Sequence, residues 1–126
     1  MREEVKNWWK QAEADFRKIK VLLDSKNFDG AVFYSQQAVE KALKALYLLR
    51  LKEAPKGHSI IYFAQKLKLP REMLSSIRDL NPEYLITRYP DMAAGVPAEL
   101  YDKEIASKHE RTARRVLGWV KNQIKE

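Results

Sequence analysis

Apolar residues recur every three to four positions along most of this chain, the spacing of one face of an α-helix. The pattern predicts helices over residues 3–25 and 29–51, a short helix after Ser59, a fourth over 70–80 and a last one over 97–124. A brief turn through Tyr84 and Leu85 and an irregular connection over 88–96 complete the order. No segment alternates like a half-buried strand. We therefore predict one all-α domain over residues 1–126, an antiparallel up-and-down bundle of four to five helices.

The ends and inner faces of these helices can also be predicted. Asp29 and Ser59 are expected to cap the second and third helices, and Pro70 and Pro97 suit the first positions of the fourth and last. In the second helix the positions predicted to face inward are Ala31, Tyr34, Ala38, Ala42, Ala45 and Leu49. In the last helix they are Leu100, Ile105, Ala113, Val116, Leu117, Val120 and Ile124.

A polar track runs beside the apolar face of the second helix. Gln37, Lys41 and Lys44 are three to four residues apart, so their side chains stack along the helix axis. The two ammonium groups are candidates for neutralising phosphate oxygens, and each such contact would steepen the salt dependence of binding. The alternative is an ordinary Glu40–Lys44 pair on an exposed face.

The formal net charge is +7, and it is concentrated in two stretches. Residues 41–68 hold seven basic side chains against one acidic one, and residues 103–126 hold seven against three. The fold can bring these stretches together into an anion-attracting face, or leave them as two solvated helix surfaces. A charged fraction of 33% with only four glycines favours a thermophilic source.

The chain lacks cysteine, which fits a reducing cytosol and excludes disulfides and thiolate metal sites. The first residues do not resemble a signal peptide, and no apolar run approaches the roughly 20 residues of a membrane span. We expect a soluble, cytoplasmic protein without a membrane association. Two distant histidines make a poor metal site, so no metal or other cofactor is predicted.

Arg88 and Tyr89 are the first candidates for a functional site. They stand where a helix is predicted to end, at the start of the longest irregular connection. An arginine guanidinium can bind a phosphate with two parallel hydrogen bonds, and a tyrosine ring can stack on a base. Alternatively, Arg88 pairs with Asp91 or caps helix carbonyls, while Tyr89 fills a gap in the core.

The two histidines suggest different roles. His58 follows Gly57 and precedes the third helix, so its ring can cap backbone amides or bind a ligand phosphate. His109 lies on the inward stripe of the last helix, where a lone histidine is usually a hydrogen-bonded core or interface residue. Trp8 and Trp9 are adjacent and cannot both point inward, which makes one of them a candidate for a subunit interface.

Four features of this chain together resemble those of the HEPN domain family. They are the Trp-rich first helix, the segment from Gln36 to Lys44, the helix start His58–Ser59–Ile60, and Arg88–Tyr89–Pro90. The resemblance spans nearly the whole chain and keeps the order and spacing of these features. It implies a five-helix domain that commonly forms homodimers and associates with nucleotides or RNA. It also implies pairing with a small nucleotidyltransferase in toxin–antitoxin modules.

The catalytic branch of that family is a metal-independent RNase marked by an arginine and a following histidine with four to six residues between them. In this chain the corresponding positions before His58 and His109 are Leu51, Lys52, Glu53, Asp102, Lys103 and Glu104, and none is arginine. No catalytic residue is therefore assigned.

The leading hypothesis is a non-catalytic, homodimeric domain that binds nucleotide or RNA phosphate through Arg88, Lys41 and Lys44. A separately encoded nucleotidyltransferase is its expected partner. One alternative is an RNase toxin that uses Arg88 or Arg50 with His58 across a dimer. The other is a protein-interaction module without a ligand, whose Trp8 and Trp9 edge docks a partner chain.

Overall fold

The computed structural model of the chain describes residues 2–125, which form helices and connecting turns without a strand. In chain order the helices are α1 (Glu3–Asp24), α2 (Phe28–Leu51), α3 (Ile60–Lys66), α4 (Arg71–Leu80), α5 (Glu83–Ile86), α6 (Pro90–Ala93), α7 (Pro97–Leu100) and α8 (Lys103–Ile124). The predicted all-α class is confirmed. None of the helices in the described part combines the length and apolarity that crossing a bilayer requires.

Helix α2 is the centre of the bundle. The long helices α1 and α8 both pack on it, and α3, α5 and α7 contact it as well. The alanines predicted to face inward are buried, whereas Tyr34 and Leu49 are only partly covered. Val39, Leu43 and Leu46, on the sides of α2 that were not predicted to be core, are also fully buried. A helix enclosed on several sides needs apolar or paired residues all round, which a one-face pattern underestimates.

The last predicted helix is divided in two, so its prediction as one continuous element over 97–124 was wrong. Tyr101 and Asp102 adopt extended backbone conformations between α7 and α8. Asp102 then caps α8, because its carboxylate accepts a hydrogen bond of 2.8 Å from the Ile105 amide. The break turns Leu100 and Ile105 outward, 47% and 36% exposed, although both were predicted to face inward.

Two other local predictions were refined by the structure. Ser59 caps α3 as expected, with its hydroxyl accepting from the Tyr62 amide at 3.1 Å. Asp29 does not cap α2, because that helix already begins at Phe28. The connection predicted to be irregular contains the single turn α6, which ends at Ala94 in the left-handed conformation (φ 55°).

Candidate functional site

Glu40 of α2 is the hub of a buried polar cluster. Its side chain is almost wholly buried, and its carboxylate accepts hydrogen bonds from Gln36 Nε2 at 3.1 Å and Lys44 Nζ at 2.9 Å. Gln36 and Lys44 are four residues away on either side, so one face of α2 supplies both donors. The Nδ1 atom of His58 lies 3.1 Å from the same carboxylate. A buried carboxylate of this kind is stabilised only because its charge is compensated and its oxygens are bonded.

The hydrogen bonds continue from Glu40 along α2. Gln37 donates to Gln36 Oε1 at 2.8 Å, and its own oxygen accepts from Lys41 Nζ at 2.9 Å. Lys41 also donates to Asp15 of α1 at 2.7 Å. A continuous chain of polar side chains therefore connects His58, in the loop after α2, with Asp15, on the neighbouring helix.

Asp15 ends this chain as a buried carboxylate on the face of α1 that meets α2. Burial alone would raise its pKa, but hydrogen bonds from Lys41, Gln11 and Lys18 outweigh that effect and lower it. The group is therefore held as an anion. A charge-assisted bond across two helices also fixes how α1 sits against α2.

Both lysines of the predicted phosphate site thus already meet carboxylates. Lys44 is buried, pairs with Glu40, and lies over the Trp8 ring at 5.1 Å. Lys41 pairs with Asp15 and keeps about a fifth of its side chain exposed. The Glu40–Lys44 alternative is confirmed as a pair, but it lies in the interior and not on an exposed face.

His58 is held at the edge of the cluster by three features. Gly57, with φ of +88°, makes the turn that precedes it. Glu40 faces Nδ1, so a proton on that nitrogen can donate to the carboxylate. The ring lies against Tyr84 of α5, with centroids 5.0 Å apart, and 58% of the side chain remains exposed. Ser59 caps α3 in place of His58, so the capping role considered for His58 was wrong.

Arg88 and Tyr89 follow α5 on the surface. The Arg88 guanidinium lies over the ring of Phe33 in α2 at 5.0 Å and over that of Tyr89 at 5.7 Å. Within residues 2–125 no carboxylate lies within ion-pair distance of Arg88, so the alternative pairing with Asp91 was wrong. Tyr89 is 45% exposed and does not fill a core gap. An arginine that contacts aromatic rings in this way still has N–H groups that can donate to an anion.

The structure brings together some of the predicted site residues and separates others. Gln37, Lys41, Lys44 and His58 belong to one hydrogen-bonded cluster. Arg88 lies over Phe33, seven residues and about 10 Å along the axis of α2 from Glu40. Helix α5 connects the two places, since its Tyr84 contacts His58 and Arg88 lies two residues after its end.

Asp15, Gln36, Glu40 and Tyr84 were not predicted as site residues. Gln36, Glu40 and Lys44 have the spacing of i, i+4 partners, a signal that the sequence contained. Asp15 and Tyr84 reach the cluster only through the packing of α1 and α5 on α2, for which the sequence holds no local signal.

A second buried polar group joins α5 to α8. His109 Nε2 lies 3.7 Å from Glu83 Oε2, and the Tyr101 hydroxyl donates to the other oxygen of Glu83. Burial lowers the pKa of His109 to about 4, with repulsion from Lys108 adding to the effect. Burial also raises the pKa of Glu83, and the hydrogen bond from Tyr101 offsets part of that rise. His109 is buried as predicted, but its Nδ1 has no partner within the described residues.

The basic side chains of α8 are exposed along its length. Arg114 pairs with Glu110, while Arg111 and Arg115 stand in solvent. Arg50, at the end of α2, bonds Gln123 and the Leu67 carbonyl and lies over Trp119. It is therefore engaged with α8 and does not face His58.

Known proteins resemble this chain in sequence and fold. The profile of the family described as "HEPN domain" matches residues 5–123. A protein of Methanocaldococcus jannaschii named "Putative toxin MJ1304" is 33% identical over an alignment 131 positions long. The alignment covers 93% of this chain and 86% of that protein. The crystal structure of TT1696 from Thermus thermophilus has a TM-score of 0.89 at 30% identity, covering 96% of this chain and 98% of the other. ST0689, described as an archaeal HEPN homologue, has a TM-score of 0.85 at 36% identity, covering 99% and 100%.

Proposed function

This chain belongs to the HEPN domain family, and we propose that it binds the phosphate groups of a nucleotide or RNA without cleaving them. The proposed contacts are Arg88 and Tyr89, with His58 farther along the same side of α2. The domain acts within a toxin–antitoxin-like module.

The observation that carries this proposal is the environment of Arg88. Its guanidinium is exposed, rests on two aromatic rings and lacks a carboxylate partner within residues 2–125. Contact with the two rings restricts the Arg88 side chain, so less rotamer entropy is lost when it binds a phosphate. The half-exposed Tyr89 ring beside it offers a surface on which a base can stack.

The polar cluster of α2 has a supporting role in this proposal. Glu40 orients the His58 ring, and Lys44 compensates the charge that Glu40 would otherwise leave buried. Gln37 and Lys41 tie the cluster to Asp15 on α1. The lysines therefore act through the cluster and do not contact phosphate themselves.

The partners proposed for this domain are a second copy and a separately encoded nucleotidyltransferase. The name of the M. jannaschii relative supports a toxin-like role. Residues 2–125 form helices and turns without a strand, so they do not include the sheet of a nucleotidyltransferase.

Titration of fluorescently labelled single-stranded RNA and of AMP into the native protein and into Arg88→Ala tests the site. We expect Arg88→Ala to weaken RNA binding and to lower the slope of log affinity against log salt by about 0.7, the value for one lost phosphate contact on a single strand. Arg71→Ala is the matched control, since Arg71 is equally exposed and lacks an ion pair within residues 2–125. Equal affinities for Arg88→Ala and native protein would remove the proposed site.

A second candidate function is metal-independent RNA cleavage, and one observation favours it. The Glu40–His58 pair has the arrangement of a carboxylate that orients a catalytic imidazole. Incubating RNA with the protein in EDTA tests this function: cleavage that is lost in both His58→Ala and Glu40→Gln would establish it. Intact RNA at high protein concentration would favour the non-catalytic proposal.

A further inference from the structure

An apolar groove runs between α1 and α8, on the side of both helices that faces away from α2. Both helices pack mainly on α2, so the space between them is open. Trp9 and Phe16 of α1 and Leu117 of α8 line its first part. A second part, which shares Trp9 with the first, extends along α8 to Ile124. Within residues 2–125 no segment of the chain covers this groove.

The dimensions of the groove suit the side chains of a helix better than a small molecule. From Trp9 to Arg17 the wall of α1 measures about 12 Å, a little over two helical turns. The groove is divided into two depressions of about 220 Å³ and 270 Å³, and each alone is smaller than the roughly 300–1,000 Å³ of typical small-molecule sites. Each depression is therefore a place for an anchoring side chain.

Gly118 lies on the wall of this groove, in the middle of α8. It is exposed, and a Cβ added there would meet no atom within 4 Å. Glycine destabilises the interior of a helix, and no contact among the described residues requires one here. A residue without a side chain lets the backbone of another helix approach closely.

The charges around the groove indicate what it accepts. Among the described residues that line it, Arg17, Lys121 and Lys125 are basic and Glu13 is acidic. A second copy of this chain would bring its own net charge of +7 to a basic face. An acidic partner would meet complementary charges there.

We propose that this groove docks an amphipathic, acidic α-helix of another protein. Its apolar stripe packs on Trp9, Phe16 and Leu117, its backbone passes over Gly118, and its acidic side chains meet Arg17 and Lys121. This surface is formed by α1 and α8, whereas the proposed phosphate contacts follow α5 or precede α3. The two proposals can therefore fail separately.

Selection of a displayed library of helical peptides, about four turns long, on the native protein tests this inference. We expect the selected peptides to be acidic and amphipathic, and to lose affinity for Gly118→Leu by about tenfold or more, because the new side chain fills the groove. Ser75→Leu places the same side chain on an exposed position of α4 and is the matched control. Leucine favours helix more than glycine does, and circular dichroism verifies that both variants are folded.

Three results would overturn the proposal. The first is that the selected peptides bind Gly118→Leu with the same affinity as the native protein. The second is that the selected peptides are basic. The third is a dimer of the native protein, seen by sedimentation, that Gly118→Leu dissociates while Ser75→Leu does not, because a second copy would then occupy the groove.

Discussion

Replacing Lys44 by methionine removes the charge of a buried side chain while keeping most of its length. Lys44 and Glu40 are 5% and 4% exposed, and the ammonium lies 2.9 Å from the carboxylate. Removing one partner of such a pair leaves an uncompensated buried charge and costs about 3–5 kcal/mol. Glu40 keeps its hydrogen bonds to Gln36 and His58, so we expect the lower end, a loss of about 3 kcal/mol in the free energy of unfolding.

The double variant Glu40→Gln/Lys44→Met removes both charges and keeps an oxygen to accept from Gln36. We expect it to recover most of the lost stability, because a neutral pair is not penalised for burial. The cycle of the native protein, the two single variants Glu40→Gln and Lys44→Met and the double variant then gives the coupling free energy of the pair. If the single variant fails to fold, the double variant still reports whether the buried charge was the cause.

Urea unfolding followed by circular dichroism measures these differences from the midpoints and slopes. Lys20→Met is the matched control, since Lys20 also has an acidic partner four residues away, Asp24, but both side chains are exposed. Its midpoint should change little. Equal losses in Lys44→Met and Lys20→Met would refute the argument, because burial would then make no difference to the pair.

Three further predictions concern stability. The pKa of His109 lies at about 4 in the folded protein against 6.5 as a free side chain, so the unfolded chain takes up the proton first. Stability should therefore fall by up to about 3 kcal/mol as pH drops from 6.5 to 4, and His109→Gln should flatten that decline in urea midpoints. Ser59→Ala and Asp102→Ala each remove a helix cap and should each cost about 1 kcal/mol in the same assay, and a cap that contributes nothing would leave the midpoint unchanged. Gly118→Ala should raise the stability of the isolated protein by about 0.5–1 kcal/mol, whereas a loss would mean that the glycine is needed within the fold.

The long helices were predictable because their apolar spacing is regular and their caps are local. The break at Tyr101 and Asp102 was not predicted, since apolar residues continue at helical spacing on both sides of it. Asp102 is a good N-cap three residues before Ile105, which in retrospect is the signal for a new helix. The enclosure of α2 could not be predicted from its own sequence, because it depends on how many other helices pack on it.

The candidate site was predicted in part for the same reason. The track of Gln37, Lys41 and Lys44 follows from helix geometry, and its hydrogen bonds are found along the predicted face. Its acidic partner Asp15 is 26 residues from Lys41 in sequence. Contacts at such separations are set by tertiary packing, so charges that look free in the sequence are paired in the fold.

NMR titration of the labelled protein with a short single-stranded RNA tests the central claim most directly, because it reports each side chain separately. The account predicts that the Nε–Hε resonance of Arg88 and the imidazole resonances of His58 shift and saturate together, while that of Arg71 does not move. Shifts confined to Arg111 and Arg115 of α8, with Arg88 and His58 unchanged, would contradict it.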